Sequence, residues 1–268
     1  MLRHIAPPQD RIWADPFPVE HEGRTLIFLE QQYVGKKGTL GYIELYDDMT
    51  HSGFHQILEE PWHLSYPHVF VTERGGVREW YMVPESADCG QVRLYRADSF
   101  PDRWSFVKAL LPNAAAVDTT PFYHGGLWWL FTSVKTVSSG FNSALYAYYA
   151  DDIASDRWSS HAKNPVVTGS GNSRMAGKIS PQSDGTLLRP AQSCIREYGE
   201  HLNVNRVLEL TPTTYREETV RSIYPERSLN AVCTHTYNET GRFVLRDVKT
   251  RVFAPFHRLF SARDGDRQ

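Results

Sequence analysis

The chain has 268 residues, of which 41% are hydrophobic and 13% aromatic, and its formal charge is −2. That length suits one large all-β domain or two small ones, and the near-neutral balance offers no basic field to attract nucleic acid. Cys89, Cys194 and Cys233 are widely spaced and form no CxxC pattern, which argues against a disulfide framework or a zinc site; no run approaches the ~18 apolar residues of a membrane span and no apolar signal core opens the chain, so no membrane span and a cytoplasmic location are expected.

Residues 1–11 are polar and Pro-containing, suited to a loose arm or a donated edge strand. From Ile12 onward the period is that of strands: short runs rich in Val, Ile, Tyr, Phe and Trp, broken by Gly, Asp and Asn turns. Asp151–Trp158 and Thr211–Glu218 are the two stretches compatible with a helical turn. A repeat organises the rest. Asp15 in Ala-Asp-Pro-Phe, Tyr66 in Ser-Tyr-Pro-His-Val-Phe, Asp118 in Val-Asp-Thr-Thr-Pro-Phe, Arg174 in Arg-Met-Ala-Gly and His235 in Thr-His-Thr-Tyr each open a unit, at a spacing of roughly 50–60 residues. After each start come a turn and a second strand (Thr25–Gln31, Trp80–Ser86, Leu127–Ser133, Thr186–Ser193, Arg242–Val248). The first four units add a third strand (Gly41–Tyr46, Gln91–Ala97, Ala144–Ala150, Asn203–Leu210). Radially repeated sheets of this length predict an all-β, five-bladed β-propeller in a single domain. The blades fall near 12–60, 61–112, 113–170, 171–226 and 227–260, the last closed by the N-terminal segment.

In an antiparallel blade, the start of the innermost strand and the end of the next lie at one end of the sheet. This gathers Asp15, Tyr66, His68, Asp118, Arg174 and His235 with Glu30, Glu85, Arg189, Gln192 and Asp247 around one channel mouth. Polar groups concentrated there describe a ligand site. The bland alternative is that they cap strands and turns: Asp15 as the acceptor of a turn, Asp118 over the Thr119-Thr120 turn, and Glu85 in an ion pair with Arg174 or Arg189. Two arginines at one mouth suit an acidic sugar; pairing with Glu85 and Asp247 is the competing role. His68 and His235 suit a channel cation or simply satisfied polar positions, and no metal or other cofactor is expected. Trp13, Trp62, Tyr66, Trp129 and Tyr237 are candidates for stacking on sugar faces.

Several of these motifs together resemble one family. They are Trp13-Ala14-Asp15-Pro16-Phe17, Ser65-Tyr66-Pro67-His68-Val69-Phe70, Val83-Pro84-Glu85-Ser86, Val117-Asp118-Thr119-Thr120-Pro121-Phe122, Asn164-Pro165-Val166, Arg189-Pro190-Ala191-Gln192 and Thr234-His235-Thr236-Tyr237-Asn238. The family is the N-terminal domain of plant glucosamine inositolphosphorylceramide transferases, and the resemblance runs from about Asp10 to Val248. It implies the five-bladed propeller of arabinanases, xylosidases and invertases, and a carbohydrate or glycoconjugate ligand. Propeller glycosidases of that type use a carboxylate pair tuned by a third. The resemblance places the base or nucleophile at Asp15 and the tuning Asp at Asp118. Their acid is a Glu at the fourth blade's start, where this chain has Ser173-Arg174-Met175-Ala176-Gly177. Glu85 is the substitute acid, with Glu30 behind it. The leading expectation is therefore a glycoside hydrolase acting through Asp15, Glu85 and Asp118. A non-catalytic carbohydrate-binding domain working beside a glycosyltransferase, and a scaffold propeller for protein partners, are the alternatives.

Overall fold

The computed structural model describes residues 2–137 and 139–250. Four antiparallel sheets follow one another along the chain. Blade 1 is β1 (Arg11–His21), β2 (Arg24–Tyr33), β3 (Gly38–Leu45) and β4 (His55–Leu58), paired in that order. Blade 2 repeats the order with β5 (Ser65–Arg74), β6 (Val77–Glu85), β7 (Val92–Ser99) and β8 (Arg103–Leu111). Blade 3 is β9 (Ala116–His124), β10 (Leu127–Val134) and β11 (Ala144–Ala150), with β12 (Ser159–Ser160) and β13 (Val167–Thr168) both pairing with β11. In blade 4 the inner strand is split into β14 (Arg174–Met175) and β15 (Ser180–Pro181), both on β16 (Leu187–Ser193), which continues to β17 (His201–Leu210) and β18 (Tyr215–Ile223).

The inner hairpins of blades 1, 2 and 3 are made by turn chemistry visible in the sequence. Glu22-Gly23, Gly75-Gly76 and Gly125-Gly126 all have positive φ, the conformation that matches a two-residue turn to the right-handed twist of its strands. The second strands are the most buried: β2 is buried continuously from Thr25 to Gln31, because one face joins the apolar cluster shared with blade 2 and the other is covered by the closing segment. One apolar cluster reaches across the ring from Phe17 and Leu64 to Trp129 and Tyr215. A second fills the gap between blades 2 and 3 with Tyr81, Val83, Leu94, Leu130 and Ile153.

The described residues contain four blades where five were expected. The fifth unit instead forms two short ladders, β19 (Ala231–Cys233) with β22 (Lys249–Thr250) and β20 (Tyr237–Glu239) with β21 (Val244–Arg246). Its apolar runs are about three residues long, too short for a four-stranded sheet; residues 251–260, assigned to this unit, lie outside the described residues. Residues 2–8 carry no strand and so do not complete a blade there. The 231–250 segment nevertheless closes the circle. Phe243 and Leu245 pack on Ile27, Leu29, Ile43 and Leu45 of blade 1, while Tyr237 packs on Ala176 and Leu202 of blade 4. Thr211–Glu218 is not helical either: Thr211–Thr214 is a turn and β18 begins at Tyr215, because cross-strand pairing with β17 outweighs local preference. Asp151–Trp158 forms turns rather than a helix, one of them held by the Asp152 carboxylate accepting from Ala154 N–H at 2.7 Å. No helix among the described residues is long and apolar enough to cross a membrane.

Candidate functional site

Three of the repeat starts share one unusual backbone conformation. Asp15, Tyr66 and Asp118 have φ of 53°, 49° and 50°, the left-handed region that costs a non-Gly residue on the order of 1 kcal/mol. Each coincides with a break in ladder register: between Ala14 and Phe17, between Ser65 and His68, and opposite Phe131 and Ser133. A bulge of this kind re-aims a side chain, and here all three turn toward neighbouring inner strands. Asp15 accepts from Tyr66 N–H of blade 2 at 3.2 Å and from Thr236 Oγ1 of the closing segment at 2.6 Å. The Tyr66 hydroxyl lies against Thr120 Oγ1 at 2.9 Å and accepts from Gly177 N–H at 2.7 Å. Asp118 accepts from Arg174 Nε at 2.6 Å and from Gln192 Nε2 at 3.0 Å.

Two charge networks result. In the first, Arg174 also donates to Asn142 Oδ1 at 3.0 Å, stands 3.7 Å from Glu85, and lies under the Tyr198 ring at 4.9 Å. Burial, the Asp118 charge and a hydrogen bond to Asp118 push the Glu85 carboxyl well above its ordinary range, against the opposing pull of Arg174. In the second network, the His235 ring meets Asp247 at 2.5 Å and Asp15 at 3.7 Å. Burial works against the His235 charge, but Asp247 outweighs it and lifts His235 to about 9. Burial likewise works against the Asp247 charge; His235 and two backbone N–H donors, His235 and Thr236 at 2.9 Å, outweigh it and hold Asp247 below its ordinary value. Burial, with repulsion from Asp247 and Asp118 against the attraction of His235, brings Asp15 to about 6. Glu30, buried and repelled by Asp15, rises to about 8.

The sequence-predicted residues separate into three groups. Asp15, Glu85, Arg174 and His235 meet at the mouth with side chains 11–17% exposed, within reach of solvent; Asp118 and Asp247 sit just behind them, and Glu30 joins through its coupling to Asp15. Tyr66 and Gln192 are buried braces between inner strands. His68 and Arg189 are elsewhere. His68 stacks on Phe17 at 5.1 Å, and burial drives it down to about 3. Arg189 is completely buried in blade 4, where the Glu217 carboxylate accepts from its Nε at 2.7 Å and from a terminal nitrogen at 2.6 Å. It pairs with neither Glu85 nor Asp247. Three mouth residues were missed: Asn142, Thr236 and Tyr198. Thr236 lay inside a motif already singled out. Asn142 and Tyr198 stand in the loops between the second and third strands of blades 3 and 4, where the strand period carries no information about them.

Asp15, His235 and Asp247 offer ligand atoms within 4.8 Å of one another, the one such group among the described residues. Its donor set is already satisfied internally, since Asp247 takes the His235 ring, the N–H groups of His235 and Thr236, and Asp15 N–H at 3.2 Å.

Comparison with known proteins agrees with this architecture. The profile of a family described as glucosamine inositolphosphorylceramide transferase 1, N-terminal, matches residues 6–239. The chain is 35% identical over 248 residues to glucosamine inositolphosphorylceramide transferase 1 of Arabidopsis thaliana, covering 86% of this chain and 31% of that protein. Against the same protein of Oryza sativa subsp. japonica it is 33% identical over 208 residues, covering 76% of this chain and 27% of that one. The chain thus spans less than a third of these relatives' length. Among solved structures, the catalytic domain of a Coprinopsis cinerea GH62 alpha-L-arabinofuranosidase superposes with a TM-score of 0.59 at 14% identity, covering 86% of this chain and 78% of that one. That likeness is one of fold, and it makes the sheets the blades of a β-propeller.

Proposed function

We propose, from the premise that this chain belongs to the glucosamine inositolphosphorylceramide transferase 1 N-terminal family, that it is a carbohydrate-binding propeller whose mouth receives a glycan or glycolipid head group beside a glycosyltransferase. One observation carries the reading. At the position where the resemblance to arabinanases implies a proton-donating Glu stands Arg174, and its guanidinium holds Asp118 at 2.6 Å. Asp118 is thereby neutralised, as Asp247 is by His235. The partly exposed groups at the mouth, Asp15, Glu85, Arg174 and His235, are polar donors and acceptors, the kind of groups a recognition site needs.

A specific observation also favours hydrolysis as a second reading. Burial and the Asp118 charge raise the Glu85 carboxyl well above its ordinary range, while Asp15 stands at about 6, a divergence of the kind expected of an acid and a base working as a pair. One experiment separates the two: a glycan array and calorimetry for binding, run beside an aryl-glycoside screen for turnover. The binding reading expects glycan affinity that Asp15→Asn lowers about tenfold, the worth of one hydrogen bond to a charged group, with no sugar released. Turnover by the wild type that is lost in a folded Glu85→Gln variant would establish the hydrolase instead.

A further inference from the structure

We infer that the central channel, on the side of Tyr66 away from the mouth, holds a small monovalent anion between His68 of blade 2 and Lys178 of blade 4. The site is separate from the mouth and stands independently of the carbohydrate-binding reading. The inner strands bring the pair together. Phe17 of blade 1 meets the Tyr66 ring edge-on at 4.8 Å and stacks on the His68 ring at 5.1 Å, so both side chains of β5 turn toward the centre of the disc. The Tyr66 hydroxyl reaches across to accept from Gly177 N–H at 2.7 Å, and Lys178 is the next residue. Among the described residues, Lys178 is accordingly the one charged group that acts on the His68 ring.

Both side chains lack the partners their burial calls for. His68 is 4% exposed, and its Nδ1 is buried without a hydrogen bond, a state that native folds rarely leave uncorrected. Phe17 covers one face of its ring and Phe70 meets it edge-on at 5.9 Å. Lys178 is half-buried, and among the described residues its ammonium has neither an ion pair nor a hydrogen bond. Burial lowers the Lys178 pKa against the attraction of Glu239. That carboxylate is occupied elsewhere, accepting from Gln182 Nε2 at 3.0 Å and from the Tyr237 hydroxyl at 3.1 Å. The Lys178 backbone is fixed, its N–H donating to Asn238 Oδ1 at 2.9 Å.

These groups specify the charge of what lies between them. The ammonium repels a cation, and no carboxylate acts on His68 to hold one, so the channel cation that a histidine in this position suggests has no place here. A water molecule gives the imidazole a partner but leaves the ammonium uncompensated. An anion serves both. It accepts from the single N–H of a neutral imidazole, and it balances a desolvated ammonium where water screens little of the attraction. Burial keeps the imidazole neutral, holding it at about 3, so the pair carries one positive charge. One negative charge matches it; a dianion such as sulfate brings a second that nothing opposes. Halides and formate share the required chemistry. Bridged in this way, blades 2 and 4, which are not neighbours in the ring, are tied through its centre.

The test uses the whole chain at pH 7 and constant ionic strength, with sodium methanesulfonate replaced stepwise by sodium chloride, bromide, formate or sulfate, read by scanning calorimetry. An anion that fits should raise Tm along a saturating curve, by about 3–6 °C at ten times its dissociation constant, and sulfate should give no saturating rise. A response to the halides alone assigns a halide site, and a response to formate alone a carboxylate site. Lys178→Met should abolish the response and Lys178→Arg should keep it. His68→Phe, which preserves the stacking on Phe17, should raise the half-saturating concentration about tenfold. If Lys178→Met does not fold, crystals of the wild type grown in bromide decide: an anomalous peak between His68 and Lys178 sustains the site, and its absence overturns it. A Tm indifferent to which anion is present, or a chloride response undiminished in folded Lys178→Met, overturns it as well. Because the mouth takes no part, none of these outcomes bears on glycan binding, and a failure of glycan binding leaves the anion site standing.

Discussion

Glu30 shows what a single buried acid does to this molecule. Its folded pKa of about 8, raised by burial and then by Asp15, stands above the ordinary 4.5. The protonated form is the one the fold favours, so its contribution to stability is complete below about pH 4.5 and is lost as pH rises through 8. Asp15 acts the same way between its ordinary 3.8 and about 6. His235, lifted by Asp247 over the opposing effect of burial, stabilises fully below 6.5 and loses that contribution as pH rises through about 9. Asp247, held low, opposes them only in acid, losing its share as pH falls below 3.8. Thermal stability should therefore decline from pH 5 to pH 9. Glu30→Gln should flatten the part between pH 5 and 8, raising Tm at pH 8 by about 2–4 °C for each kcal/mol recovered, and should match the wild type at pH 5; scanning calorimetry across that range is the measurement. At this scale the sequence was informative about position and less so about partners. The repeat located Asp15, Tyr66 and Asp118 at equivalent stations, which the shared left-handed φ makes physical. It said nothing of Glu217, which occupies Arg189 from an outer strand, because the repeat aligns inner strands and outer-strand identities vary freely with solvent.

Among the elements, the split inner strand of blade 4 is the most revealing. β14 and β15 flank Gly177, whose φ of 136° and closeness to Tyr237 C=O, 2.1 Å from where a Cβ would stand, admit no side chain. Gly177 N–H is thereby left to meet the Tyr66 hydroxyl at 2.7 Å. Gly177→Ala should cost roughly 3–5 kcal/mol through crowding and backbone strain together, read as a drop in the denaturant midpoint with unchanged slope. The second and third strands of the first four units were legible because alternation and Gly turns are local signals. The break at Gly177 was not, since its cause is a carbonyl some sixty residues later. The fifth unit was legible as a motif and not as a blade: Thr234-His235-Thr236-Tyr237-Asn238 marks a start, but the apolar runs after it support only two-stranded ladders.

Across the whole molecule, the closing segment decides whether a ring exists. Leu245 is packed on the apolar face of blade 1, so Leu245→Asp places an unpaired charge in that seam. It should lower stability by about 2–4 kcal/mol and expose Ile27, Leu29, Ile43 and Leu45, giving increased binding of a hydrophobic dye at temperatures below the main transition. The seam matters for the mouth too, because Asp15 draws its hydroxyl donor from Thr236 and lends its own N–H to Asp247, 221 and 232 residues further along. During synthesis Asp15 is therefore made more than two hundred residues ahead of these partners. Until then the mouth has an acid without its donor and an imidazolium without its place. The arrangement of the mouth is consequently absent from every intermediate in which the closing segment has not docked, and a probe of the Asp15 environment reports ring closure itself.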